Sequence, residues 1–260
     1  IKSESEDEEL IEVNEKPLSS DRKSDETSSN IDSLKNFEDT CWLNDININD
    51  YGILLERHFK GKIFVFSSYF YGSLLEKGYD HVKRWMKNVD IFDMKFVFYP
   101  MFENSHWFLG IQNNLTNKLQ LLDPYDPSYK IVLSSKNTMY SKDIKKMKNY
   151  RLKEIIHKHK QRLENIVNLF LKMHERYHEF QVEVLVPPSI PKQTNDNDCG
   201  VFLLEFMKFT TFEKQFTFTC DNMPNFRQEL MKEMTNNTIL PITQIGPPNF
   251  REGSTSKTIQ

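Results

Sequence analysis

Gln193-Thr194-Asn195-Asp196-Asn197-Asp198-Cys199-Gly200 runs directly into an apolar stretch, Val201-Phe202-Leu203-Leu204, that reads as a helix. A thiol reacts as the thiolate, so a reactive cysteine needs a neighbour that stabilises negative sulfur. A helix N-terminus does so through its unpaired N–H groups and its dipole. The segment places Cys199 where a helix opens, with Asp198 as the expected side-chain cap. Gly200 leaves room for a close neighbour. Gln193, six residues earlier, carries an amide suited to donate to an oxyanion beside the backbone N–H of Cys199.

Two further pieces lie upstream. His106-Trp107 opens one apolar strand, and Asp123 closes the next, 17 residues on. Singly, a buried cysteine is more often a small core residue, and a strand histidine is usually just hydrogen-bonded. Jointly they form a complete set. Cys199 is the nucleophile, His106 the general base, Asp123 the group that orients the imidazole, and Gln193 the oxyanion donor. The chemistry indicated is that of a cysteine peptidase.

The chain has 260 residues and a mass of 31.0 kDa, enough for one sizeable core plus tails. Its start at Ile1 leads us to expect a piece of a longer protein. Cys41, Cys199 and Cys220 are odd in number and scattered, which fits a reducing, intracellular setting better than a disulfide scaffold. No apolar run approaches membrane-spanning length. The net charge of -3 hides an asymmetry: residues 1–39 hold 13 Asp/Glu and 5 Lys/Arg, which leaves 24 and 29 for the remainder. The acidic, Ser-rich start buries too little to offset its ordering entropy. We therefore expect an acidic disordered linker over 1–36, a catalytic domain over 37–240 and a loose tail over 241–260.

Within the domain, Tyr51, Leu54, Leu55, His58 and Phe59 keep helical spacing behind a cap at Asn44 or Asp45. Ile63–Phe66 reads as a strand, and a helix runs from Ser67-Ser68 to Lys77, stopped by Gly78. Phe96-Val97-Phe98-Tyr99 is a central strand ending at Pro100, Trp107, Leu109 and Ile111 alternate in a second, and Leu119–Leu122 makes a third. From about Asp143 to Phe180 the period is 3.6, as one long helix or two abutting ones. Residues 130–162 carry 11 Lys/Arg against Asp143 and Glu154. Val182, Val184 and Val186 form a last strand, and helices over 199–209 and 224–234 close the domain.

These motifs, in this order, resemble the ubiquitin-like-protein-specific cysteine proteases, the SUMO (sentrin) proteases. The resemblance is carried by Trp42-Leu43-Asn44-Asp45, Ser105-His106-Trp107-Phe108, Leu122-Asp123, and Pro191-Lys192-Gln193 through Asp198-Cys199-Gly200-Val201-Phe202. It covers about Phe37 to Met234. Phe66-Ser67-Ser68-Tyr69-Phe70-Tyr71 and Val89-Asp90-Ile91-Phe92 are similar to the branch that edits poly-SUMO chains, whose domains carry insertions, here about 130–160. Asp123-Pro124-Tyr125-Asp126 departs from the Asp-Ser-Leu or Asp-Ser-Met of many relatives. The resemblance implies an α+β, papain-like fold with a central mixed sheet flanked by helices. It implies hydrolysis after the C-terminal Gly-Gly of SUMO, with SUMO conjugates or poly-SUMO chains as partners. By the same resemblance Trp42 and Trp107 flatten a channel over the diglycine and Asp45 pairs with an arginine near the modifier's tail. A monomer, nuclear residence and independence of metals and organic cofactors are implied too.

Two rivals remain open in the sequence. His174-Glu175-Arg176-Tyr177-His178 is a literal H-E-x-x-H on an expected helix, a zinc-protease signature. A charged Arg176 and the lack of a convincing third ligand count against it. The basic 130–162 segment would suit a non-catalytic binding module, but it lacks interleaved aromatics, so nucleic acid is not an expected partner. Another ubiquitin-like modifier as substrate would call for the same chemistry.

Overall fold

The computed structural model describes residues 34–38, 40–125 and 141–242, with side chains from 145 on in the last segment. The expected linker to residue 33, the start of the basic segment and the tail from 243 lie outside the described residues. Packing already reaches back to Leu34, which lies against the core, and Phe37 is buried.

Helix α1 (Asp45–His58) starts where Asn44 and Asn47 exchange side-chain and backbone hydrogen bonds, 3.0 and 3.1 Å, a reciprocal capping box. Strand β1 (Ile63–Val65) follows, then α2 (Phe70–Lys77), which stops at Gly78 in the left-handed region, φ 75°. A short α3 (Tyr79–Val82) leads to β2 (Phe96–Glu103), β3 (His106–Asn113) and β4 (Lys118–Leu122). The long α4 (Ser141–Leu169) precedes β5 (Gln181–Leu185), and α5 (Cys199–Thr211) and α6 (Met223–Asn236) complete the domain.

The five strands form one mixed sheet in sequence order. β1 and β2 run parallel, β2, β3 and β4 antiparallel, and β4 and β5 parallel. Strand β2 runs past Pro100 to Glu103 rather than ending there. The Phe66 N–H donates to Phe98 O, so even-numbered residues of β2 point their backbone groups toward β1. Because β1 has ended by then, the missing N–H of Pro100 removes no ladder bond.

Alternation along the strands builds two cores. Phe96, Phe98, Trp107, Leu109, Ile111 and Leu122 face α1, α5 and α6. Val97, Tyr99, Met101, Phe108, Leu119 and Leu121 face the layer containing α2 and α4. The expected α+β arrangement, a central mixed sheet flanked by helices, is what the chain adopts.

The continuation of the helical period to Phe180 is corrected. Phe170 leaves helical geometry (φ -131°, ψ -64°), a 3-10 turn covers Leu171–Met173, and His174 is extended (φ -97°, ψ 138°). Phe170 is fully buried, so the chain turns on it to bring Gln181 into register with Lys118.

Candidate active site

His106 owes its place to a hairpin. Asn104 and Ser105 both take positive φ, 51° and 59°, as a two-residue turn between β2 and β3 requires, and Glu103 then pairs with His106. Asp123 follows β4 immediately, its N–H bonded to Leu185 O at 3.1 Å. The antiparallel register Leu109 to Leu122 puts His106 and Asp123 at the same end of neighbouring strands. His106 Nε2 meets Asp123 Oδ1 at 2.7 Å. The segment before α5 is pinned beside them, with the Gln193 N–H donating to Pro124 O at 2.8 Å and Tyr125 bridging Gln193. Cys199 is the first residue of α5 and is buried. Cys199 lies close enough to the His106 side chain to act, with Asp123, on its protonation.

The electrostatics follow from this placement. Burial by itself raises the Asp123 carboxyl, but hydrogen bonds from His106 and from His159 outweigh it and hold Asp123 well below the usual carboxylate range. Burial by itself lowers His106, yet its bond to Asp123 and the neighbouring Cys199 push it up to about 10. His106 is therefore an imidazolium at neutral pH, the partner that a thiolate at a helix N-terminus needs. Gln193 is buried, with Nε2 donating to Asn195 O at 2.8 Å. The same Nε2 also reaches Asn195 Oδ1 at 3.5 Å, a long contact that a better-placed acceptor can displace. Cys199, His106, Asp123 and Gln193 thus sit within one cluster.

The family model for the Ulp1 protease family, C-terminal catalytic domain, matches residues 41–241. The chain belongs to this family. Among curated proteins it is similar to sentrin-specific protease 5 of Homo sapiens, 31% identical over 204 residues, covering 78% of this chain and 24% of that protein. It is likewise similar to sentrin-specific protease 2 of Homo sapiens, 31% identical over 223 residues, covering 82% and 33%. The chain thus spans between 24% and 33% of the length of these relatives. Among solved structures, the C-terminal Ulp1 protease domain in complex with Smt3, the yeast ortholog of SUMO, matches with a TM-score of 0.60 at 21% identity, covering 80% of this chain and 82% of that one. That likeness is one of fold.

In this Ulp1-family fold the other expected site residues are placed as follows. Trp107 is buried, and its Nε1 donates to Leu43 O at 2.9 Å. A Cβ on Gly200 would lie 2.8 Å from the Leu43 Cβ, so α5 needs glycine there to approach. Leu43 is therefore where the segment before α1, the histidine strand and the cysteine helix meet. Neighbouring Trp42 is 46% exposed, and Phe102, 51% exposed, packs against Trp107 with ring centroids 4.6 Å apart. Asp45 opens α1 and accepts a hydrogen bond from the Tyr69 hydroxyl.

Asp198 is a correction. It does not cap α5: at φ -95° and ψ 4° its side chain makes no cap bond. Instead Oδ1 takes Nε and Nη2 of Arg227 at 2.9 and 2.7 Å. Arg227, itself buried, also donates to the carbonyls of Asn36, Glu38, Cys41 and Asn197. It clamps the cysteine loop to the segment before α1. Its helical phase beside Met223, Phe226 and Leu230 marked Arg227 as core-facing, a signal the motif reading did not use.

The zinc-protease reading is also corrected. H-E-x-x-H puts two histidines on one face only within a helix, and His174 to His178 follow the 3-10 turn in irregular chain. Arg176 is engaged with Asp90 and Asp93, at 2.6 Å each. The histidine that does reach the site is His159, on α4, whose Nε2 lies 2.8 Å from Asp123 Oδ2.

Proposed function

We propose that this domain is a SUMO-specific cysteine protease that hydrolyses the peptide or isopeptide bond after the C-terminal Gly-Gly of SUMO. The observation that carries the reading is His106 hydrogen-bonded to Asp123, with Cys199 beside it at the start of α5, in a fold of the Ulp1 family. The Cys199 thiolate attacks the glycine carbonyl, and the oxyanion is held by the Cys199 backbone N–H and the Gln193 amide. His106 gives its proton to the departing amine, leaving a thioester on Cys199. Water then attacks the thioester, with His106 taking its proton, and SUMO leaves as the carboxylate. Asp123 keeps the His106 ring in the productive orientation throughout.

Trp42 and Trp107 line the channel for the diglycine, where two indoles leave no room for a side chain, and Asp45 pairs with an arginine of the modifier. Because Trp107 is buried, its truncation would disturb folding as well, whereas Trp42 is exposed enough to test the channel. The catalytic unit is residues 37–240 with packed flanks at residues 34–36 and at Ile242, preceded by the acidic linker and followed by the tail. The domain acts as a monomer on SUMO conjugates and poly-SUMO chains, in the nucleus. The similarity to sentrin-specific proteases 5 and 2 supports this reading.

Two variants test it. Cys199→Ser is expected to abolish cleavage of di-SUMO while the melting temperature stays near that of the wild type. Retained cleavage would sink the nucleophile assignment. Trp42→Ala is expected to reduce cleavage at least tenfold, on the order of the 1–3 kcal/mol of binding that one well-packed pocket contact supplies, while stability changes little. Wild-type turnover there would remove the channel.

A further inference from the structure

The Asp123 carboxylate is held from two sides. Oδ1 accepts from His106 Nε2 at 2.7 Å and from the Tyr125 backbone N–H at 2.8 Å, while Oδ2 accepts from His159 Nε2 at 2.8 Å. His159 is 36 residues away in sequence, on α4, and only 4% exposed. Its other nitrogen, Nδ1, lies 3.2 Å from Nη1 of Arg162. A guanidinium only donates, so Nδ1 is the acceptor and the ring keeps its hydrogen on Nε2. His159 Nε2 then donates to Asp123 Oδ2.

The surroundings fix that ring. Arg162 is bonded to Glu103 through Nε at 3.1 Å and through Nη2, and it lies over the Phe108 ring, 4.9 Å from the centroid. The His159 ring packs on the same Phe108 at 4.8 Å. Glu103 is the cross-strand partner of His106, so the contacts that begin at Asp123 return to the hairpin that carries the base. Asp123 thus faces His106 from β3 and His159 from α4, and these two are in turn faced by Cys199 from α5, Tyr125 after β4, and Arg162 with its partner Glu103.

We propose that His159 is a positioning residue for the reaction, setting the plane of the Asp123 carboxylate so that Oδ1 stays aligned on His106. This rests on the reading that His106 and Asp123 serve Cys199. The torsion that turns a carboxylate about its last carbon–carbon bond is soft. With Oδ2 unheld, the group would rotate and leave a buried oxygen without a donor, which is costly. His106 would then lose its aligned partner. One histidine on α4 thereby makes that helix part of the active-site frame.

The test uses the intact domain and a SUMO carrying a fluorogenic amide after Gly-Gly. His159→Phe keeps the ring and its packing on Phe108 but removes the donor, and His159→Gln keeps a donor of similar reach. His159→Asn, whose amide falls short of Oδ2, is the second loss variant should the phenylalanine not fold. His159→Phe is expected to lower kcat on the order of 10- to 100-fold with KM within about twofold, the scale of a misplaced catalytic group. It is also expected to alter the pH profile of Cys199 alkylation by iodoacetamide, and His159→Gln should recover most of both. Equal behaviour of the donor-lacking and donor-keeping variants, whether all active or all inactive, overturns the proposal, as does a loss confined to KM. His106→Ala and Cys199→Ser run alongside. If those two stay active, the underlying reading fails. If they are inactive while His159→Phe matches the wild type, only the role of His159 fails.

Discussion

His106 carries the charge that the account depends on, and its titration is measurable. Its value, up at about 10, lies above the ordinary 6.5, so the stability it contributes is full below about pH 6.5 and is lost as pH rises through about 10. Asp123 is depressed, so its contribution is present above an unfolded value of about 4 and is lost as pH falls through its lower folded value. Together the pair stabilises most fully between about pH 4 and about pH 6.5. Followed by NMR, the His106 ring nitrogens are expected not to titrate between about pH 6 and 8, and to move with a midpoint near 10. In Cys199→Ala the midpoint should fall, since one of the two groups raising it is gone. A midpoint near 6.5 in the intact protein would mean that no such ion pair exists. At this scale the candidate residues His106, Asp123, Cys199 and Gln193 stood out in the sequence because each sits within a local pattern. His159 did not, because a histidine on the inner face of a helix looks like any core position until α4 is laid against β3 and β4.

Among the elements, α5 is set by something other than its own cap. Arg227 on α6 holds Asp198 and four backbone carbonyls, so the start of the cysteine helix depends on a residue 29 positions away. Replacing it as Arg227→Met leaves a buried carboxylate unpaired, a change that costs about 3–5 kcal/mol. At about 2–4 °C per kcal/mol for a domain of this size, the melting temperature should drop by roughly 6–20 °C. Cys199 alkylation should slow with it. A melting temperature within about 2 °C of the wild type would show that the clamp contributes little. Capping logic located the helix start at Cys199 correctly and misassigned the role of Asp198, because a local rule does not see a buried arginine arriving from another helix. The same blindness explains α4. Periodicity follows the phase of side chains, and Met173 and Tyr177 keep that phase after the backbone has turned at Phe170.

For the molecule as a whole, the strands and their order of appearance were readable, and alternation told which side chains would share a face. The pairing that closes the sheet, β5 beside β4, was not, since a parallel partner has no turn to announce it. That pairing matters for the site, because Leu185 holds the N–H of Asp123. What the fold achieves is to bring a strand pair, a helix start and a second helix to one sheet end around Cys199. The most direct test of the central claim reacts the domain with a panel of ubiquitin-like modifiers, each ending in an electrophile in place of the C-terminal glycine carboxylate, and maps the adduct by mass spectrometry. The account predicts rapid labelling by SUMO at Cys199, lost in Cys199→Ser and strongly slowed in His106→Ala. Labelling of Cys41 or Cys220 instead, or labelling by another modifier with none by SUMO, would contradict it.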